Sequence, residues 1–432
     1  MSATRAALFQ RLQDLSEQNI SAAIDLGVAR VRIEDEVLEG ETITLEGRKL
    51  TNFGTAAYLG LNTDSRLKRG AIDAIERFGP VFSSSTVYTS VDLYADLENR
   101  LQRIFGTPVI IPTTTSLGHL GALPVLVGPK DVVVIDTRAH ASLHLATLVL
   151  MGEGIPVVSV PHNDMDALAT TIAAEATRAE RVWYLADGVY SMHGDTLPTH
   201  QVARLLEEYE QLHLYIDDAH GFGWKGQHGR GHVLSQIPMH PRLTVAVSLS
   251  KSFGSGGAAI AFHDAGLAKS VLLRGGTFTF SGPIHPAELG AAIASADIHL
   301  SGEHTERVAR INEQIDLTRS LLTAHHVPVV SDAQTPIWFA KVGGHKETLE
   351  LVRRLKVQGF FVNAGVHPAV PLNHSGIRFA HALYHSNDHI RALVEAIASN
   401  SDLIDTTHIV VDLTEPAARP EEPQTVGSQP QQ

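Results

Sequence analysis

The stretch TVAVSLSKSFGSGGAAIAF, residues 244–262, connects two apolar segments through a loop of serines and glycines that carries one lysine. The segments LTVAVSL (243–249) and AAIAF (258–262) are apolar throughout, as is typical of strands that are buried on both faces of a sheet. Lys251 lies two residues after the end of the first of them. Because a buried ammonium group is costly, a lysine at this place requires a chemical explanation.

Four more apolar, β-branched segments precede this stretch, and helical patterns separate several of them. The predicted strands are VVVID (132–136), PVVSV (156–160), VWYLAD (182–187) and LHLYID (212–217). The helical patterns include DALATTIAAEATRA (166–179) and HQVARLLEEYEQ (200–211). This alternation predicts an α/β fold with a mostly parallel sheet covered by helices.

The pattern changes near Ser301, where a long helical segment is followed by shorter strands and helices. We predict four regions: an N-terminal helical or extended arm (1–50), a large α/β domain (51–300), a small α+β domain (301–412) and a disordered tail (413–432). The tail has almost no large apolar residues, so it cannot bury enough surface to fold.

Composition limits the classes of function. The chain has 432 residues, of which 44% are hydrophobic and 19% charged, as in ordinary globular proteins. It has no apolar run of the roughly 20 residues that a membrane-spanning helix needs, and no signal-peptide pattern. A net charge of −13 without basic clusters argues against nucleic-acid binding. The absence of cysteine excludes disulfides and suits the cytoplasm, where we expect the protein, although it is also compatible with secretion.

The 24 histidines raise the question of a metal site. Two pairs have a spacing of four residues: His140 with His144, and His381 with His385. Neither pair encloses the glutamate of a zinc-protease helix, and a structural metal needs three or four converging ligands. We therefore expect no metal.

Polar residues follow the predicted strands at the edge where open α/β sheets bind their ligands. They are His140, Asp187, Ser191, Asp217, His220, Ser248 and Lys251. In addition, Thr115 and Ser116 lie just before a predicted helix, where free backbone N–H groups favour an anion.

This set matches what pyridoxal 5'-phosphate (PLP) requires. Its aldehyde needs a lysine amine, its pyridine nitrogen needs a carboxylate, and its phosphate needs N–H and hydroxyl donors. Lys251 supplies the amine and Asp217 the carboxylate, while Thr115, Ser116 and Ser248 supply the phosphate donors. An apolar setting favours the neutral, nucleophilic amine, which explains the position of the lysine.

Five motifs carry a resemblance to a known family. They are AHASL (139–143), DGVYSMHGD (187–195), IDDAHGFGWKGQHGRG (216–231), SLSKSFG (248–254) and SGIRFAHALYH (375–385). In this order and spacing they resemble the α-oxoamine synthases, over about residues 45–398. The resemblance implies the PLP-dependent transferase fold of type I, in which a mostly parallel seven-stranded sheet lies between helices and a smaller α+β domain follows. It also implies a homodimer with shared active sites, in which residues 277–286 contact the neighbour's phosphate.

The resemblance assigns roles at the cofactor. Lys251 corresponds to the Schiff-base lysine, which also acts as the catalytic base, and Asp217 to the partner of the pyridine nitrogen. His220 corresponds to the histidine that binds the phenolic oxygen, and His140 to the one that stacks on the ring. Ser248 takes the place of a threonine that contacts the phosphate.

The resemblance also implies the reaction, a decarboxylative Claisen-type condensation of an amino acid with an acyl thioester that gives an α-aminoketone. The thioester is acyl-CoA or an acyl carrier protein. Arg378 corresponds to the arginine that binds the amino acid's carboxylate, and Ser191 to a serine near the ring. Two alternatives remain open: an aminotransferase or decarboxylase on the same fold, and a binding protein without turnover.

Four positions depart from the family pattern. Ala56 and His119 each replace an asparagine, Ser85 replaces an arginine, and Tyr94 replaces a histidine. We expect all four to alter the substrate side of the site and none to touch the cofactor side, with His119 and Tyr94 as packing residues. This predicts a specialised relative rather than a primary biotin or heme enzyme.

Each candidate residue also has a structural alternative. Asp217 and His140 are possible helix caps, His220 a buried core histidine, Ser191 a turn residue, and Arg378 a member of a structural ion pair.

Overall fold

The computed structural model describes residues 3–404, so the predicted disordered tail lies outside the described residues. Within them the strands are β1 (Thr42–Leu45), β2 (Arg48–Asn52), β3 (Val109–Ile110), β4 (Val132–Asp136), β5 (Val157–Val160), β6 (Val182–Asp187), β7 (Leu212–Asp217), β8 (Leu243–Ser248), β9 (Ala258–Phe262), β10 (Ile337–Gly343), β11 (Phe360–Phe361), β12 (Asn363–Gly365) and β13 (Ser375–Ala380). The helices are α1 (Ala3–Asp25), α2 (Ser65–Phe78), α3 (Leu93–Phe105), α4 (Thr115–Leu126), α5 (Ala141–Gly152), α6 (Met165–Glu175), α7 (Thr199–Glu208), α8 (His232–Gln236), α9 (Ala265–Arg274), α10 (Gly276–Thr279), α11 (Pro286–His299), α12 (Gly302–Ala324), α13 (His345–Val357) and α14 (Asn387–Ala398).

A seven-stranded sheet with the order β3-β9-β8-β7-β6-β4-β5 forms the centre of the large α/β region. Strands β8, β7, β6, β4 and β5 pair in parallel, and β9 runs antiparallel to both of its neighbours. The predicted fold class, a mostly parallel seven-stranded sheet between helices, is confirmed.

The apolar strands are buried on both faces. Along β4, Val132 and Val134 pack in one core cluster, whereas Val133 and Ile135 pack in another. Alternate side chains of a strand point to opposite faces, so these two clusters lie on opposite sides of the sheet. Burial on both sides explains why the strands read as continuous apolar segments.

A smaller antiparallel sheet, β10-β13-β12, forms near the C-terminal end of the described chain. The early strands β1 and β2 belong to a third sheet, in which Thr51 of β2 pairs with Phe360 of β11. Phe53 and Tyr58 share a core cluster with Phe379 of β13. The segment after β2 therefore packs with the C-terminal elements. The predicted domain boundaries stay a prediction.

None of the described helices combines the length and the apolarity that crossing a membrane requires. Among the described residues, no group of three or more His, Asp or Glu side chains is placed to hold a metal ion.

Candidate active site

A cavity of about 360 Å³ opens beyond the carboxyl ends of the parallel strands. Strands β6, β7 and β8 end at Asp187, Asp217 and Ser248, and all three residues line the cavity. The structure brings most of the predicted residues together here: Thr115, Ser116, His140, Asp217, His220, Ser248 and Lys251. The site thus forms at the sheet edge that the topology favours.

Lys251 lies in the loop after β8 and reaches the cavity. Burial lowers the pKa of its ammonium group below the usual value. The carboxylates of Asp217 and Asp187 act in the opposite direction, and the charge of Arg378 lowers the pKa further. A lowered pKa increases the neutral fraction of the amine, which is the nucleophilic and basic form.

Asp217 ends β7 and is buried. Its Oδ1 accepts a hydrogen bond from the backbone N–H of Ala219 at 3.0 Å, and its Oδ2 lies 3.0 Å from Nε2 of His119. Burial raises the pKa of this carboxyl, but the hydrogen bond from His119, with the charge of Lys251, outweighs burial and lowers it to about 2. Asp217 therefore carries a negative charge inside the protein. Its bond to Ala219 closes a turn, so the alternative that Asp217 caps a helix does not apply.

The position of His119 corrects one expectation. We predicted that the departures from the family pattern would leave the cofactor side untouched, but His119 contacts Asp217 directly. His119 is fully buried, and its Nδ1 lies 2.9 Å from the hydroxyl of Tyr215. Because α4 packs on the sheet, its inner face directs His119 to the end of β7.

Two other departures from the family pattern, Ser85 and Tyr94, contact a different part of the chain. The Ser85 hydroxyl donates to the carbonyl of Thr279 at 2.8 Å, and the Tyr94 hydroxyl accepts from the N–H of Ile284 at 2.7 Å. Both therefore hold the segment 277–286, which we predicted to reach the neighbour's phosphate. His285 of that segment lines this chain's own cavity.

His220 is buried, with its Nδ1 at 2.7 Å from the hydroxyl of Tyr58. Burial raises the pKa of Tyr58 to about 12, so the phenol keeps its proton. Burial and the charges of Lys251, Arg378 and His140 lower the pKa of His220 well below its usual range. With Nδ1 accepting from Tyr58, the neutral ring carries its hydrogen on Nε2.

His140 serves as the N-cap of α5 as well as lining the cavity. Its Nδ1 accepts from the N–H of Ser142 at 3.3 Å, and its own backbone N–H donates to Asp187 Oδ1 at 2.9 Å. Burial lowers its pKa, and the charge of Lys251 adds to this lowering. The cap fixes one edge of the imidazole ring at the wall of the cavity.

The N-terminus of α4 faces the same cavity. Thr114 caps the helix by accepting from the N–H of Leu117 at 3.2 Å. The N–H groups of Thr115 and Ser116 are then among the helix donors that the fold leaves unpaired. The hydroxyl of Ser248 lies next to that of Ser250, at 2.8 Å. Free N–H groups and hydroxyls at a helix N-terminus suit a phosphate group.

The donor set therefore fits PLP. One cavity contains an amine of lowered pKa, an ionised buried carboxylate, two neutral histidines and an anion-binding helix end. These are the groups that the aldehyde, the ring nitrogen, the ring and the phosphate of this cofactor need.

Arg378 and Ser191 are placed together, beside the cavity. Nε of Arg378 donates to the backbone carbonyl of Ser191 at 2.7 Å, and the charge of Arg378 acts on Lys251. Arg378 is buried on β13, yet no carboxylate in residues 3–404 forms an ion pair with it. The alternative that Arg378 is a member of a structural ion pair is therefore not met within the described residues.

Sequence reasoning assigned no role to several residues that line the cavity, among them Ser142, Ala219 and Glu288. A local signal existed for the last of them. Glu288 is three residues after His285 and accepts its backbone N–H at 3.2 Å, which is the spacing of a capping box at the start of α11.

Comparisons with known proteins identify the family and the fold of this chain. Residues 48–397 match the family model described as aminotransferase class I and II. The chain is 32% identical to an 8-amino-7-oxononanoate synthase of Geobacter sulfurreducens, over 83% of this chain and 91% of that protein. It is 28% identical to a serine palmitoyltransferase of Bacteriovorax stolpii, over 86% of this chain and 87% of that protein. The fold superposes on a Sphingomonas wittichii serine palmitoyltransferase with a TM-score of 0.81, at 22% identity over 89% of this chain and 96% of that one.

The fold and the family match together define a PLP-dependent enzyme of fold type I. The named relatives narrow this class further. The chain belongs to the α-oxoamine synthases within the aminotransferase class I and II family, as its motifs predicted.

Proposed function

We propose that this protein condenses an amino acid with an acyl thioester, with loss of CO2 and of the free thiol, to give an α-aminoketone. One observation carries the proposal: Lys251, with its lowered pKa, shares a cavity with the ionised Asp217 in an α-oxoamine synthase chain. The 32% identity to an 8-amino-7-oxononanoate synthase supports this reaction class.

Bound PLP supplies an electron sink for negative charge at the α-carbon of the amino acid. Lys251 would hold the cofactor's aldehyde, and its neutral amine would take and return the α-proton. Asp217 would keep the ring nitrogen protonated, and His220 would donate from Nε2 to the phenolic oxygen. His140 would cover the ring, while Thr115, Ser116 and Ser248 would bind the phosphate.

Arg378 is the proposed carboxylate site of the amino acid substrate. Its guanidinium is buried, uses Nε for the Ser191 carbonyl, and has no carboxylate partner among the described residues. A buried guanidinium without an anion is unfavourable, so the α-carboxylate of a substrate would compensate its charge. Ser191, through its carbonyl, positions the guanidinium.

We further propose a homodimer that works in the cytoplasm, where coenzyme A thioesters are made. Three large apolar side chains of the active-site helix α5 are exposed: Leu145, Leu148 and Met151. Exposed apolar side chains grouped on one helix are typical of a protein interface.

The test is a product assay with purified, PLP-loaded protein. A panel of amino acids would be combined with acyl-CoA and acyl carrier protein thioesters, and CO2, free thiol and keto acid would be measured. We expect CO2 and thiol to appear in equal amounts with one substrate pair, and to disappear in Lys251→Ala. Keto acid without thiol release would instead identify an aminotransferase, and CO2 without thiol a decarboxylase. PLP binding without any product from the panel would favour a binding protein.

A further inference from the structure

We propose that His119, held by Tyr215, is a positioning residue that keeps the Asp217 carboxylate ionised and directed at the cofactor's ring nitrogen. The inference rests on the proposed function only through its cofactor, not through the condensation reaction. It assigns a role on the cofactor side to a residue that the sequence pattern placed on the substrate side.

Three buried side chains, Tyr215, His119 and Asp217, form a chain of hydrogen bonds. His119 Nδ1 lies 2.9 Å from the Tyr215 hydroxyl, and Nε2 lies 3.0 Å from Asp217 Oδ2. The rings of His119 and Tyr215 meet edge to face, with centroids 5.5 Å apart. His119 and Tyr215 are fully buried, so water does not compete for these bonds.

The chemistry of the partners fixes the direction of each bond. An ionised carboxylate only accepts, so His119 Nε2 carries a hydrogen and donates it to Asp217. Burial, with the charge of Asp217, raises the pKa of Tyr215 well above its usual value, so its hydroxyl stays a donor. Among the described residues its hydrogen-bond partner is His119 Nδ1. The imidazole of His119 therefore accepts at Nδ1 and donates at Nε2, which satisfies both contacts at once.

The other groups around Asp217 do not replace this contact. The N–H of Ala219 binds the opposite oxygen, Oδ1. Lys251 acts on Asp217 through its charge, from across the cavity, and not through a hydrogen bond. Asp187 is buried at the end of the adjacent strand, where burial and the charge of Asp217 raise its own pKa well above the usual range, so it offers Asp217 no compensating positive charge. The His119 N–H is thus the one side-chain donor within hydrogen-bond distance of Asp217 in the described chain.

The experiment measures cofactor binding and needs no substrate. Protein freed of cofactor would be titrated with PLP and, in parallel, with 1-deaza-PLP, in which a C–H group replaces the ring nitrogen. The variants are His119→Leu, which removes the donor, His119→Gln, whose amide N–H can replace Nε2–H, and Tyr215→Phe. Circular dichroism and urea unfolding would show that each variant is folded.

We expect wild type to bind PLP more tightly than the deaza analogue. His119→Leu should weaken PLP binding about 10- to 100-fold, the range for a hydrogen bond to a charged group, without changing the affinity for the analogue. His119→Gln should recover most of the PLP affinity, and Tyr215→Phe should show a smaller loss than His119→Leu.

Equal weakening of both ligands in folded His119→Leu would indicate a packing role and would overturn the inference. Unchanged PLP affinity in His119→Leu, or a His119→Gln variant that binds as weakly as His119→Leu, would do the same. A failed condensation assay with these binding results intact would remove the proposed function and leave the role of His119 standing.

Discussion

Asp217 and Asp218 are sequence neighbours, both buried, whose carboxyl groups have opposite pKa shifts. His119 and nearby positive charges overcome the effect of burial on Asp217 and lower its pKa to about 2. Burial dominates at Asp218 and raises its pKa to about 8, although Oδ2 accepts the N–H of Val233 at 2.9 Å. The side chain that can hold a charge faces the cavity, and the one that stays neutral faces the protein interior.

The Asp218 shift predicts a pH dependence of stability. Between its ordinary pKa of 3.8 and its folded value of about 8, the unfolded chain has released this proton while the folded chain keeps it. The free energy of unfolding should therefore fall as pH rises through this window, by up to about 1.4 kcal/mol per pH unit from this group. Urea unfolding at several pH values should show that Asp218→Asn loses this slope. Identical slopes in both proteins would contradict the assignment.

Arg378 predicts a selective effect on one substrate. Arg378→Ala should raise KM for the amino acid about 10- to 100-fold, because a charge-assisted pair with the carboxylate is lost. Arg378→Lys should recover part of it, since lysine keeps the charge without the planar fork. Steady-state kinetics should show little change in KM for the acyl thioester. A change confined to the thioester would refute the role.

The candidate residues were predictable where they directly follow a buried strand. Asp217 and Lys251 were identified in this way, because parallel strands end at one edge and bring their loops together. His119 was misjudged for the opposite reason. Its contact with Asp217 depends on how α4 rotates and packs on the sheet, which single-sequence patterns do not specify.

At the scale of elements, α2 and α11 approach closely through two glycines. A Cβ atom added at Gly290 of α11 would overlap the backbone carbonyl of Gly70 in α2, and one added at Gly70 would meet the carbonyl of Gly290. The two backbones therefore touch, and neither can yield by rotating a side chain. This contact attaches the helix that follows the segment 277–286 to the large region.

The contact predicts that alanine lowers the stability of the protein at Gly290 but not at a glycine with free space around it. Gly290→Ala should lower the free energy of unfolding by about 1–3 kcal/mol, because an added methyl group forces two backbones apart. Gly302→Ala is the matched control, since a Cβ there meets nothing within 4 Å at the start of α12, and it should be neutral or stabilising. Urea unfolding of both variants is the measurement. Equal stabilities would show that the helices separate without cost.

Strands were predicted correctly where burial on both faces of the sheet requires a continuous apolar segment. The predicted segments 132–136, 182–187, 212–217 and 258–262 coincide with β4, β6, β7 and β9. The two-residue strand β3 was not predicted, because so short a strand is defined by its pairing with β9 and not by its own composition. The same holds for β11, which pairs with β2 from a distant part of the chain.

At the scale of the whole molecule, α5 connects the active site to the proposed interface. Its N-cap, His140, lines the cavity, and its outer face exposes Leu145 by 56%, Leu148 by 60% and Met151 by 54%. Burying this face against a second copy would remove apolar surface from water and would hold the helix that positions His140.

The proposed interface predicts that a charged residue on α5 changes the mass of the assembly in solution. Leu148→Glu should convert the dimer to monomer, because a carboxylate buried in an apolar interface is strongly unfavourable. Val357→Glu is the matched control, since Val357 is exposed by 59% on the distant helix α13. Light scattering coupled to size-exclusion chromatography would give both masses. A Leu148→Glu dimer, or a monomeric wild type, would contradict the proposed interface.

The central claim is that Lys251 holds the cofactor, and it has a direct test. The PLP-loaded protein would be reduced with borohydride, which makes a lysine–cofactor bond permanent, then digested and analysed by mass spectrometry. We predict that the cofactor's mass will be found on the peptide that contains Lys251 and will be lost in Lys251→Ala. A label on another lysine such as Lys225, or no label on a protein that has bound PLP, would contradict the account.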